Sequence, residues 1–309
     1  MKKPVIIDCD PGHDDAIALL LAIASEELEV RAVTTVGGNQ TSEKTLNNAM
    51  RILSFAGVRE IPVAPGASQP LVRELQIAPE VHGESGLEGP HLPEPNFKPY
   101  GKGAIELMEE IIMTSKDKIV LIPTGPLTNI ATLLLTVPEV KDRIERISLM
   151  GGSAVGGNWT PAAEFNILVD PEAADVVFKS GIPITMSGLD VTHKAQIYDE
   201  EIESIRLQGG KVSVMVAELL DFFAKFHKEM GFEGSPLHDP CAVAWLIKPD
   251  IFTTKHLHVD IETKGEFTTG ATVVDYRGVT GKSPNTEVIY DVDREAFIKL
   301  LMDSLKKYH

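Results

Sequence analysis

The sequence predicts an α/β fold. One large domain over residues 1–309 is expected to carry a mostly parallel, doubly wound (Rossmann-like) central sheet with helices on both faces. A smaller antiparallel element is expected near the C-terminus. Two observations carry this. Short runs of aliphatic and β-branched residues alternate with longer helical stretches. The runs are also continuously apolar, without the every-second-residue polarity of a half-exposed strand, so they are covered on both faces and linked by helical crossovers. The 309 residues can bury a full core, and 43% apolar with 24% charged is ordinary globular composition.

In chain order, Val5-Ile6-Ile7 reads as the first strand, and 16–24 as a helix apolar almost all round. A strand follows at 30–36, then a helix at 45–56 ended by Gly57. Residues 65–100 form a long, Pro-rich, weakly structured segment, a length often given to lids and binding loops. A buried strand is expected at 119–122, and a helix at 127–135 that stops before Pro138. The strand at 147–150 runs into Gly151-Gly152. A helix at 171–179 opens on Pro171 and ends before Gly181, with a strand at 182–186 after it. The last third changes character: helices at 212–228 and 241–247, then strands at 256–262, 271–275 and 287–291 nearer a mixed or antiparallel edge. An amphipathic helix at 294–307 closes the chain.

Lys and Arg number 29 against 45 Asp and Glu, a net charge of −16. A nucleic-acid polymer needs clustered Lys and Arg, so none is expected as a partner. A small ligand responds to the local field and is not excluded. No apolar run reaches the length of a membrane span. The apolar start meets Asp8 too early for a signal peptide, and two Cys make no disulfide framework, so the expected compartment is the cytoplasm.

Doubly wound sheets bind ligands beyond the carboxyl ends of their strands, and the unusual residues lie there. Asp8-Cys9-Asp10-Pro11-Gly12-His13-Asp14-Asp15 packs four carboxylates together after the first strand. Like charges this close repel unless a cation or shared protons compensate. Helix capping accounts for one or two of them, not four, so a metal site is expected. An all-oxygen donor set favours Ca²⁺ or Mg²⁺ over zinc. A calcium EF-hand loop read from Asp8 fails, because its Gly and Glu positions hold His13 and Leu19. A phosphate-transferring enzyme with Asp8 as nucleophile and Asp10 as acid/base is the alternative on this segment alone. It would need a Lys and a second acidic pair after later strands, and the residues found at those strand ends fit it badly.

Gly37-Gly38-Asn39 allows close backbone approach beside an amide, though a plain turn looks similar. Pro123-Thr124-Gly125-Pro126 starts a helix and also places backbone carbonyls where a metal could be reached. Asn158, Glu164 and Asn166, on a Gly-rich loop after Met150, form a polar set suited to a polyhydroxyl ligand. Trp159 follows Asn158 on that loop, and whether it touches the same ligand is left open by the sequence. His82-Gly83-Glu84-Ser85-Gly86 lies in the long segment, and Leu237-His238-Asp239-Pro240-Cys241 opens an apolar helix. Asp239 reads either as a helix cap or as a further metal ligand beside a proton donor. Cys9 and Cys241 read as small buried apolar residues.

Together these segments resemble the nucleoside hydrolases, the inosine–uridine-preferring nucleoside N-ribohydrolases. The matching stretches are the acidic motif through Ala16, Gly38-Asn39-Gln40-Thr41, His82 to Gly86, Pro123 to Ile130, Leu149 to Gly152, Ala163 to Asn166 and His238-Asp239-Pro240. The resemblance covers nearly the whole chain and implies the nucleoside hydrolase fold and Ca²⁺-dependent hydrolysis of a ribonucleoside to free base and ribose. It implies Asp10, Asp15, Asp239 and the Thr124 carbonyl as calcium ligands, and Asp10 as the base that takes a proton from the attacking water. Asp14, Asn39 and Asn166 would hold the 2′- and 3′-hydroxyls, and Asn158 and Glu164 the 5′-hydroxyl, with Met150 and Phe165 beside the ribose. His82 and His238 are the candidates for protonating the departing base. Some relatives offer Tyr or Gln toward the base from the helix before the His-Asp motif; here that stretch carries Phe222, Phe223, Phe226 and His227, and His227 is its one strong polar candidate. Uridine and inosine are the expected substrates, and a homodimer or homotetramer the expected assembly. A non-catalytic binding relative would have lost a metal ligand or Asp10, and this chain keeps them all.

Overall fold

The computed structural model describes residues 2–308. Its strands are β1 (Lys3–Cys9), β2 (Leu28–Thr35), β3 (Val63–Pro65), β4 (Ile119–Pro123), β5 (Ile144–Met150), β6 (Ile184–Ser187), β7 (Gln196–Ile197), β8 (Ser235–Pro236), β9 (Phe252–Leu257), β10 (Val259–Ile261), β11 (Thr272–Val274) and β12 (Thr286–Val292). Eight of them form the central sheet in the order β3-β2-β1-β4-β5-β6-β12-β9. Neighbours pair parallel throughout except at β9, which runs antiparallel to β12.

The first strand shows why the sheet reads as continuously apolar. Successive strand residues point to opposite faces. Val5 and Ile7 pack into one core with the helices His13–Ala24, Ser42–Ala56 and Asp239–Ile247. Ile6 packs into the other, with Ala104–Thr114 and Thr128–Thr136. Each face needs its own apolar residue, so the alternation disappears. The helix Ser42–Ala56 stops where expected: Gly57 takes φ +83, and its N–H returns to the Leu53 and Ser54 carbonyls. Pro171–Phe178 is capped by the Asp170 side chain, which accepts from the Ala173 N–H.

The expected parallel sheet, mixed edge and small antiparallel element are all present, and details within them are corrected. The strand expected at 256–262 is two strands in two sheets. The Asn285 side chain bonds both the N–H and the C=O of Val259 at 2.9 Å, taking the place of a sheet neighbour as the chain leaves the central sheet. The small antiparallel element is therefore the β10–β11 ribbon, while β12 sits inside the central sheet, parallel to β6. Two helices of more than two turns were not anticipated, Ala104–Thr114 and Asp199–Leu207, nor were the short helices Phe165–Val169 and Leu189–Thr192. The segment 65–100 is irregular except for one helical turn, Pro79–His82, but it is tied down. Gln40 donates to the Gly83 carbonyl, and Asn48 donates to the Ser85 carbonyl at 2.8 Å.

Register brings the functional loops together. Cys9 pairs with Thr35, Asp8 with Pro123, and Met150 with Ser187, so the loops after these strands leave one edge of the sheet side by side.

Candidate active site

A cavity of about 320 Å³ opens at that edge. Of the site residues expected from sequence, twelve line it: Asp14, Asn39, His82, Thr124, Met150, Asn158, together with Glu164, Phe165, Asn166, His227, His238 and Asp239. Asp10 and Asp15 are buried beside them, hydrogen-bonded to Asn39 and Thr124. Residues from 10 to 239 thus converge on one place.

The acidic end is arranged by backbone and amide donors. Asp15 accepts from the Thr124 hydroxyl at 2.8 Å, the Gly12 N–H at 3.0 Å and Asn39 Nδ2 at 3.2 Å. Asp10 accepts the Asn39 N–H at 2.6 Å through Oδ2, while its Oδ1 is buried without a hydrogen-bond partner among the described residues. Glycine is required around that carboxylate: a Cβ on Gly38 would lie 2.1 Å from one Asp10 oxygen, and one on Gly125 would lie 2.4 Å from the other. Oxygens of Asp14, Asp15 and Asp239 come within 4.8 Å of one another. This grouping contains Asp14, which the resemblance places on the sugar instead.

Burial and then mutual repulsion hold these acids above the ordinary carboxylate range. Burial raises Asp10 first and the Asp15 charge second; burial raises Asp239 first and Asp14 second. Asp14 is raised to about 7, again by burial and then by Asp15. Among the described residues, no Lys or Arg lines the cavity to balance them. An orphaned buried oxygen, clustered carboxylates and no protein cation fit a hard, oxygen-seeking metal ion. The Thr124 carbonyl, which already accepts from Asn166 Nδ2 at 2.7 Å, keeps a second lone pair for such an ion.

The middle of the cavity is lined by amides with one end engaged. Asn166 directs its NH₂ to the Thr124 and Met150 carbonyls, and Asn39 directs its NH₂ to Asp10 and Asp15, so each has a carbonyl oxygen to offer. Asn158 is turned the other way: its Oδ1 accepts the Phe165 N–H at 3.0 Å, leaving the NH₂ available. Glu164 caps the helix Phe165–Val169 by accepting from Asn166 N and Ile167 N, and also accepts from Gly152 N.

The far end is aromatic and imidazole-rich. Phe223 and His227 are 4.4 Å apart between ring centroids, and His227 and His238 are 6.1 Å apart. Burial is the largest cause lowering the imidazoles of His82, His227 and His238, and neighbouring His rings add to it for all three, with the Phe223 carbonyl opposing it at His227. His227 Nδ1 donates to the Phe223 carbonyl at 3.1 Å, and His238 Nδ1 pairs with the Thr192 hydroxyl at 2.8 Å. Sequence reasoning missed His193, Phe223, Phe226 and Phe232 as lining residues. Phe223, Phe226, His227 and Met230 recur at helical spacing on one stripe, a signal that was readable. His193 follows β6 by six residues and carried no local motif. Trp159 also lines the cavity, its edge toward Phe165 at 4.8 Å.

The inosine-uridine preferring nucleoside hydrolase family model matches residues 5–299. The chain belongs to this family. It is 60% identical over 310 residues to the pyrimidine-specific ribonucleoside hydrolase RihA of Photobacterium profundum, covering 100% of both chains. It is 58% identical, again over 100% of both, to RihA of Salmonella enteritidis. Among solved structures it resembles a purine-preferring ribonucleoside hydrolase from Gardnerella vaginalis, with TM-score 0.93, 32% identity and 99% of each chain covered. It also resembles the plant nucleoside hydrolase PpNRh1, with TM-score 0.93, 33% identity and 99% of each covered. As a nucleoside hydrolase the chain is an N-glycosyl hydrolase of ribonucleosides, which removes the phosphate-transfer alternative.

Proposed function

We propose that this nucleoside hydrolase cleaves pyrimidine ribonucleosides, uridine and cytidine ahead of inosine, with Ca²⁺ held by Asp10, Asp15, Asp239 and the Thr124 carbonyl. The observation that carries the reading is a cavity with two unlike ends. Buried carboxylates suit a cation and a sugar diol, and uncharged imidazoles among Phe rings suit a flat, hydrogen-bonding base. The pyrimidine preference is supported by the pyrimidine-specific naming of relatives near 60% identity.

A calcium ion held by Asp10, Asp15, Asp239 and the Thr124 carbonyl would supply a more acidic water and a charge for the ribose hydroxyls to bind. Asp10 Oδ1 has no other partner among the described residues and takes the proton of the attacking water, while the Asn39 N–H fixes Oδ2. Asp14, Asn39 and Asn166 accept from the 2′- and 3′-hydroxyls through their open oxygens. Asn158 donates to the 5′-hydroxyl beside Glu164, and Met150 and Phe165 pack on the sugar. Cleavage makes the ribosyl carbon resemble an oxocarbenium ion, and the surrounding carboxylate and amide oxygens favour that positive charge. His82 and His238 meet the departing base, and His227 presents its open Nε2 to it. The chain is proposed to work in the cytoplasm as a homodimer or homotetramer, and light scattering reads that assembly directly.

Chromatography of free base released from uridine, cytidine, inosine and adenosine tests the substrate. Uridine and cytidine should turn over fastest, and 2′-deoxyuridine should be poor because partners of the missing hydroxyl are left unpaired. Faster hydrolysis of inosine than of both pyrimidines would defeat the base preference.

A further inference from the structure

His13 has no part in the chemistry above, yet its side chain is fully buried within the acidic motif. Its Nε2 lies 2.8 Å from the Glu88 carbonyl oxygen, and its Nδ1 lies 3.1 Å from Nδ1 of His82. A carbonyl only accepts, so His13 carries its proton on Nε2. The rings of Phe222 and Phe223 stack on His13 at 5.1 and 5.4 Å, apolar surroundings that suit an uncharged imidazole. With one proton per ring, His13 Nδ1 is a bare lone pair, and the proton between the two rings belongs to His82. The opposite assignment would set the His13 Nε2 lone pair against the Glu88 oxygen. The His13 backbone N–H also approaches His82 Nδ1, at 3.3 Å. A protonated Nδ1 cannot accept that N–H, so this assignment gives up the longest of the three contacts to keep those at 2.8 and 3.1 Å.

The close approach is built in. A Cβ on Gly12 would stand 2.4 Å from His82 Nδ1. Asn48 donates to both the Pro11 and Ser85 carbonyls, at 3.1 and 2.8 Å, so one side chain ties the acidic motif to the segment carrying His82 and Glu88. With Nδ1 turned inward, Nε2 is the ring nitrogen that His82 has for the cavity it lines.

We propose that His13, backed by the Glu88 carbonyl, is a positioning residue that fixes His82 in the Nδ1–H form, so that His82 Nε2 presents a hydrogen-bond acceptor to the substrate's base. This rests on the nucleoside reading of the cavity and sharpens it. An acceptor there selects bases offering an N–H, such as the imide of uracil or the amino group of cytosine. It also assigns His82 to recognition, leaving proton donation to His238.

Nitrogen-15 NMR of the full chain, labelled at histidine, reads the tautomer directly, with the His82 signals assigned by their loss in His82→Ala. Wild-type His82 should show a protonated Nδ1 and a bare Nε2. His13→Leu should move it toward Nε2–H and lower uridine hydrolysis roughly 10- to 100-fold, by analogy with losing a partner that orients a metal-bound imidazole. His13→Asn, whose amide oxygen can accept from His82 Nδ1–H, should recover most of that loss. In the His82→Ala background, His13→Leu should cost little more, because it acts through the missing ring. An Nε2–H tautomer in the wild type overturns the proposal without any variant having to fold. Losses that multiply in the double variant overturn it as well. If no nucleoside is hydrolysed at all, the substrate reading fails while the tautomer measurement still stands.

Discussion

Asp10 keeps one oxygen on the Asn39 N–H and leaves the other buried and unpaired, and this asymmetry makes its role separable from binding. Asp10→Asn preserves size and one hydrogen-bonding edge but removes the proton acceptor. Turnover of uridine should fall about 10²–10⁴-fold while ribose binding, measured by calorimetry with Ca²⁺ present, persists. Turnover within tenfold of wild type would take Asp10 out of the base role. His227 offers a second test at the same scale. Its imidazole is lowered to about 4, chiefly by burial, against an ordinary value of 6.5. Above pH 6.5 folded and unfolded chains both hold it neutral, and below about 4 both protonate it. Between the two, the unfolded state binds more protons, so this residue withdraws stability as pH falls, in total roughly 2–4 kcal/mol. His227→Phe, set among Phe223, Phe226 and Phe232, should therefore lose less stability than wild type between about pH 7 and pH 4.5 in urea titrations. Equal losses would show that His227 is not held uncharged by burial.

At the scale of elements, the informative contact is between the helix Ser42–Ala56 and the irregular segment it faces. Asn48 is 2% exposed and donates to two carbonyls, Pro11 and Ser85, that no other side chain among the described residues reaches. Asn48→Ala should cost about 1–3 kcal/mol, the range for stranding buried polar groups, and should lower kcat/KM by loosening His82. Wild-type kcat/KM with full loss of stability would detach His82 placement from this clamp. The same elements show where sequence reading succeeds. Gly57 and Pro171 announce a helix end and a helix start by backbone chemistry alone, and both appear as expected. Ala104–Thr114 was hidden because the Pro-rich stretch before it reads as a single loop, although Ala104, Leu107, Met108 and Ile112 lie buried at helical spacing. Asp199–Leu207 was hidden because only Ile202 and Ile205 of its nine residues are buried. The break in the strand after Leu257 was not legible, since it depends on Asn285, far along the chain.

For the whole molecule, alternating apolar runs made the parallel sheet and its two-sided cover legible. Strand order was not: nothing local in Thr286–Val292 says that it lies between β6 and β9. The acidic motif identified its own cluster, whereas the aromatic wall around His193 and Phe232 forms only by tertiary packing. A cation held by the buried acids would be coupled to the entire fold. Exhaustive chelation should abolish hydrolysis, and Ca²⁺ should restore it better than Zn²⁺. Ca²⁺ at about a hundred times its Kd should stabilise the chain by about 2.7 kcal/mol, visible as a rise in Tm. Full activity with no metal left in the protein would remove the metal from the mechanism.

The Asp239 N–H reaches Asp14 Oδ2 across 225 residues of chain, and the carboxylates that cluster come from the first helix and from Asp239–Ile247. No stretch of continuous chain holds the set. A nascent or truncated product lacking the region around Asp239 would carry the whole acidic motif and still lack one corner of the site. Any cation held by this set would therefore stabilise only a finished, closed chain, and unfinished copies would be the more fragile targets for proteolysis.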